Sequence, residues 1–207
     1  AAVIAKADAA GIPVIDYDRL TLGGGAKYYV SFDNVAVGTA IGEGLVKCLN
    51  DAGTTSGNVA YLNGSPTDNN ASLFKRGVHA VLDGRVNIAK EYDTPDWSPD
   101  KAQQEMEQAL TALNNQVDGV YAANDGTAGG AIAAMKAAGL DPLPPVTGQD
   151  AELAAVQRIL VQEQYMTVYK AIRPEAEVAA ELAYTLCQGQ TPPETRWPSI
   201  STFFSSR

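Results

Sequence analysis

Residues 58–92 read NVAYLNGSPTDNNASLFKRGVHAVLDGRVNIAKEY. NVAYLN (58–63) is an apolar run of strand length, GSPTDNN is a turn-rich loop, and the segment over 70–83 carries apolar residues at helical spacing. A second strand, VNIAKEY (86–92), follows. Strand, helix and strand in so few residues predict a crossover unit, which joins parallel strands. The pattern repeats on both sides. Strands are predicted at 12–17, 28–32, 118–124, 144–149, 165–170 and 197–204. Helices are predicted at 1–10, 35–51, 99–115, 127–138, 151–162 and 174–188. Such alternation predicts an α/β fold in which helices cover both faces of a parallel sheet.

The 207 residues are 45% hydrophobic and 19% charged, the balance of an ordinary globular chain. No apolar run approaches the ~18 residues that span a bilayer. Fifteen Lys and Arg against 24 Asp and Glu give a net charge of −9, which repels phosphate backbones and argues against nucleic acid as a partner. Cys48 and Cys187 are far apart in sequence and His79 is the sole histidine, so no zinc-ligand spacing exists. Two separate packed thiols are the simpler reading of the cysteines, and a long-range disulfide stays open. The chain opens in mid-helix on AAVIAKADAAG, with no Met and no leader-like segment. A fragment whose beginning is missing is therefore expected.

In doubly wound sheets, ligands sit outside the carboxyl ends of the strands. Those ends carry Asp18 and Arg19, then Asp68 and Asn70, then Trp97, Asn124, Asp150 and Lys170, with Lys75 one turn into a helix. A sugar is a ring of hydroxyls with an apolar C–H face. Carboxylates, amides and cations answer the hydroxyls, and Trp answers the face. Three carboxylates against Arg19, Lys75 and Lys170 nearly cancel, which favours a neutral polar ligand.

Each residue has a blander role open to it. One of Asp68, Asn69 and Asn70 could cap the following helix, and Asp125 and Asp150 stand where caps belong. Trp97 could be a core anchor, Arg19 and Lys170 solvated surface groups, and His79 a structural or exposed side chain. The shared placement at strand ends is the stronger argument. Enzyme readings fare worse. His79 lies inside a helix, away from any nucleophile. Asp18 and Asp150, a conceivable glycosidase pair, stand beside basic residues that hold both ionised. The Gly-rich stretches 23–25 and 126–130 lack dinucleotide and P-loop spacing. No enzyme, cofactor or metal is expected.

The segments IPVIDYDRL, YVSFDN, GSPTDNNA, NDGTAGGAI, TGQDAELAAVQRI and MTVYK closely resemble those of bacterial periplasmic D-xylose-binding proteins, the type I periplasmic binding proteins of sugar ABC transporters. The resemblance runs from residue 1 to about residue 190. It implies two doubly wound lobes joined by three crossovers, with hinge closure on a monosaccharide and delivery to a membrane permease outside the cytoplasm. Residues 1–33 and 171–196 would be the remnant of an N-terminal lobe, 34–170 a complete C-terminal lobe, and 197–207 the third crossover strand and tail. Motif by motif, it implies sugar contacts from Asp18, Arg19, Asp68, Asn70, Asn124, Asp150 and Lys170, and stacking by Trp97. Lys75 replaces the family's usual Arg, a point charge for a planar fork, and Ala171 replaces the proline of TVYKP, so the pentose stays open. The first strand–helix units of the family's first lobe have no counterpart here. A second reading, the ligand-binding core of a LacI-type sugar-responsive repressor, shares the fold.

Overall fold

The computed structural model describes residues 1–54, 56–192 and 200–204. The chain forms two compact units, one of residues 1–33 and 170–200, the other of 34–169 and 201–207. It therefore passes between units after Asp33, Tyr169 and Ile200. Residues 197–199 of the expected last strand lie outside the described residues.

The first unit holds α1 (Ala2–Ala9), β1 (Ile15–Tyr17), β2 (Tyr28–Val30) and α7 (Ile172–Cys187). β1 and β2 pair in parallel, Ile15 opposite Tyr28. In the second unit come α2 (Asn34–Asp51), β3 (Asn58–Asn63), α3 (Asn69–Leu82), β4 (Asn87–Asp93), α4 (Pro99–Ala112), β5 (Gly119–Ala122), α5 (Asp125–Ala137), α6 (Leu153–Leu160) and β6 (Met166–Lys170). β7 (Ile200–Phe204) pairs with β6, and these two strands straddle the unit boundaries.

β3 pairs in parallel with β4 on one side and β5 on the other. Val146 bridges β5 at Val120, and Gln149 bridges β6 at Val168. The order along the sheet is thus β4-β3-β5, the run 146–149, then β6-β7. β3 and β5 are buried along nearly their whole length, as expected of parallel strands covered on both faces. Ala60, Leu62, Val120 and Ala122 face Met106 and Leu110 of α4 and Ile132 and Met135 of α5. On the opposite face, Tyr61 meets the His79 ring of α3 at 5.2 Å.

The strand expected at 144–149 reduces to two isolated bridges. Pro144 and Pro145 lack the N–H groups that a ladder needs. The helix expected from 151 starts at Leu153, because Asp150 (φ 99°) and Ala151 (φ 51°) are left-handed. α4 stops at Ala112 and not 115, and Asn114 and Asn115 just beyond it are also left-handed. Cys48 is a buried thiol on α2 and Cys187 an exposed one at the end of α7.

Leu62 is wholly buried on the central strand, so Leu62→Ala leaves a cavity against α4 and α5. The expected loss is about 2–5 kcal/mol of unfolding free energy, read from urea titration.

Candidate functional site

The sheet of the second unit reverses its winding at β3. One connection carries the chain outward to β4, the next carries it back past β3 to β5. Ligand crevices form at the carboxyl ends of strands where winding reverses. Here the β3 end leads into 64–70 and the β5 end into 123–125.

Asp68 organises the first of these loops. Its Oδ1 accepts the Asn70 N–H at 3.0 Å and so caps α3, while Oδ2 accepts the Trp97 Nε1–H at 3.1 Å. Capping and an indole contact are thus combined in one carboxylate. Trp97 has φ 58°, a conformation costing of order 1–3 kcal/mol in a residue other than glycine. Its ring lies flat against the chain at Gly64, where a Cβ would stand 2.0 Å from the ring. Phe74 meets it edge-on, with centroids 6.3 Å apart.

Asp68 and Lys75 line a depression of about 140 Å³, with Asn63, Ser65 and Asp93 among its walls. Lys75 Nζ pairs with Glu91 at 2.6 Å and reaches Asp93 at 3.6 Å. Asn63 Nδ2 donates to the same two carboxylates, at 3.0 Å each. Burial raises Glu91, but hydrogen bonds from Lys75, Asn63 and His79 outweigh it and hold the carboxyl below its ordinary range. Asn63 and Asp93 escaped the sequence reading. Glu91 and Asp93 do share one face of β4 by strand alternation, which is the signal that could have found them.

Asn124 caps α5 through a capping box, accepting the Thr127 N–H at 2.8 Å and donating its own N–H to Thr127 Oγ1 at 3.2 Å. This corrects the cap expected of Asp125. Asp125 is instead wholly buried, its carboxylate accepting from Gln164 Nε2 (2.8 Å), Thr167 Oγ1 (2.9 Å) and the Glu152 N–H (3.0 Å). Burial pushes its pKa up to about 6 against those three hydrogen bonds, and Asp150 adds to the rise. Asp150 does not cap α6 either; the N-cap there is Glu152, without a side-chain bond.

The remaining expected residues belong to the first unit. Asp18 has φ 58°, and its carbonyl accepts the hydroxyls of Ser31 (2.9 Å) and Tyr29 (3.3 Å). Arg19 beside it is exposed. Lys170 places its ammonium 5.6 Å from the centre of the Phe32 ring. Glu175, on α7 and 2% exposed, is pushed up to about 7 by burial and then by Asp18, against Lys170 and a Tyr17 hydrogen bond. Sequence reasoning gave it no role. Three of the nine expected contact residues, Asp18, Trp97 and Asp150, are therefore left-handed non-glycine residues.

Comparison with known proteins gives consistent matches. The periplasmic binding protein domain family matches residues 1–191. The D-xylose-binding periplasmic protein of Haemophilus influenzae is 45% identical over 89% of this chain and 55% of its own length. Its Escherichia coli namesake is 42% identical over 92% and 58%. The chain spans somewhat more than half the length of these curated relatives. A solved ABC transporter solute-binding protein from Clostridium phytofermentans, with bound β-D-glucose, superposes with a TM-score of 0.86 at 32% identity, over 96% of this chain and 66% of that one.

The first unit carries a pH signature. Glu175 is raised from 4.5 to about 7, so the folded state binds its proton more tightly than the unfolded state. Its ionisation costs stability above pH 7, and the cost disappears as pH falls toward 4.5. Glu175→Gln should therefore unfold at a higher temperature than the parent at pH 8, with the gap closing by pH 4.5 in thermal melts.

Proposed function

The chain belongs to the periplasmic binding protein family, and from that premise we propose that this protein is an extracytoplasmic receptor for a monosaccharide, D-xylose first among the candidates. It passes the sugar unaltered to the permease of an ABC transporter. The observation that carries the reading is the constellation at the carboxyl edge of one parallel sheet. Asp68, Asn124 and Asp150 stand on loops that leave its strand ends, Trp97 in the short 3-10 turn that follows β4, and Asn70 in the first turn of α3.

The chemistry of that set is the chemistry a sugar asks for. Carboxylates accept from hydroxyls, side-chain amides both donate and accept, and Lys75 keeps a charged donor at the rim of the depression. Trp97 offers an indole face whose N–H is already bonded to Asp68, so a C–H ring face can stack there without stranding a polar group. Backbone strain at Trp97 and Asp150 supports the reading, since left-handed non-glycine residues cluster at ligand clamps. The relatives named for D-xylose favour that sugar over other pentoses and hexoses.

Calorimetric titration of the full-length protein with D-xylose, D-glucose, D-ribose and L-arabinose tests this. Binding is expected, strongest for xylose. Each of Asp150→Ala and Trp97→Ala should weaken it about tenfold to a hundredfold, the equivalent of one charged hydrogen bond or one stacked ring. A folded protein that takes up no monosaccharide contradicts the proposal.

A further inference from the structure

Asp150 and Ala151 are consecutive left-handed residues, and neither is glycine. Such a pair persists only where the surroundings over-determine it. Three successive amides are tied down here. The Asp150 N–H donates to the Val168 carbonyl at 2.8 Å. The Ala151 N–H donates to Thr167 Oγ1 at 3.1 Å. The Glu152 N–H donates to Asp125 Oδ2 at 3.0 Å.

The last two ties converge on one group. Thr167 accepts from Ala151 and donates its own hydroxyl hydrogen bond to Asp125 Oδ2 at 2.9 Å, so both amides end, directly or through Thr167, on a single carboxylate oxygen. The other oxygen is fixed by Gln164 Nε2 at 2.8 Å, and Gln164 in turn is held by Arg158 Nε at 3.0 Å. Arg158 also reaches the Asp125 carbonyl at 2.8 Å. Only glycine fits at 148, because a Cβ there would lie 2.1 Å from Asp125 Oδ1. Asp125 is fully buried and so cannot itself meet a ligand.

We propose that Asp125 is the positioning residue that sets the contact geometry of Asp150, by clasping with Thr167 the two backbone amides that follow it. The proposal rests on the receptor reading for its functional consequence. The clasp itself is a property of the second unit alone.

Two measurements on the full-length protein test it. Calorimetry with D-xylose compares the parent, D125N, D150A and the double variant, alongside T167V and T167S. D125N should weaken binding about tenfold or more and add no further loss in the D150A background, since it acts through Asp150. T167V should weaken binding, and T167S, which keeps the hydroxyl, should restore it. Amide exchange read by mass spectrometry, without sugar, should speed up at 151–152 in D125N and T167V. An equal loss from D125N with and without Asp150, or unchanged exchange at 151–152, overturns the proposal. Should the parent bind no monosaccharide, the receptor reading fails, and exchange alone judges the clasp: faster exchange keeps it, unchanged exchange overturns it.

Discussion

A parallel sheet covered on both faces must reverse its winding where connections change sides, and in the second unit this happens between β3 and β5. The proposed sugar contacts of that unit hang on the reversal. The helices that follow the two strands depart to opposite faces, the arrangement at which ligands settle in open α/β sheets. Each loop must also satisfy the free amides of the helix it enters. Asp68 and Asn124 do this for α3 and α5. Polar side chains are thus required at the strand ends for folding before any ligand is considered, and a hydroxylated ligand can use what remains of their bonding capacity.

That double duty is sharpest at Asp68. One oxygen caps a helix and the other fixes an indole whose backbone is left-handed. The loop and the aromatic platform are therefore locked together across the β3 and β4 ends. Beyond the β5 end a buried carboxylate plays the corresponding part. Asp125 is costly to bury, as its raised pKa records, and it is tolerated because several donors converge on it. A rigid frame of this sort is what a selective receptor needs, since a misplaced hydroxyl then leaves a fixed polar group unpaired.

Most of the architecture was legible because β3 and β5 are unbroken apolar runs and the helices between them keep their period. The strand-end rule then selected Asp68, Asn70, Trp97, Asn124 and Asp150 without any coordinates. What stayed hidden depends on distant parts of the chain. Asn124 and Asp125 are both able caps, and the choice between them is settled by Gln164 and Thr167, 39 and 42 residues further on. The left-handed turn at Asp150 and Ala151 has no glycine to announce it, and the fit of Trp97 against Gly64 is a tertiary meeting of residues 33 apart. Pro144 and Pro145 did forewarn of the broken ladder at 144–149, but the apolar run around them reads as a strand.

A sugar held at the carboxyl edge of this sheet would be visible crystallographically. A crystal structure of the full-length protein grown with D-xylose tests this most directly. The expected result is one sugar with its ring face on Trp97 and hydroxyls within hydrogen-bond distance of Asp68, Asn124 and Asp150. A sugar bound elsewhere, with those side chains bonded only to one another and to water, would contradict it.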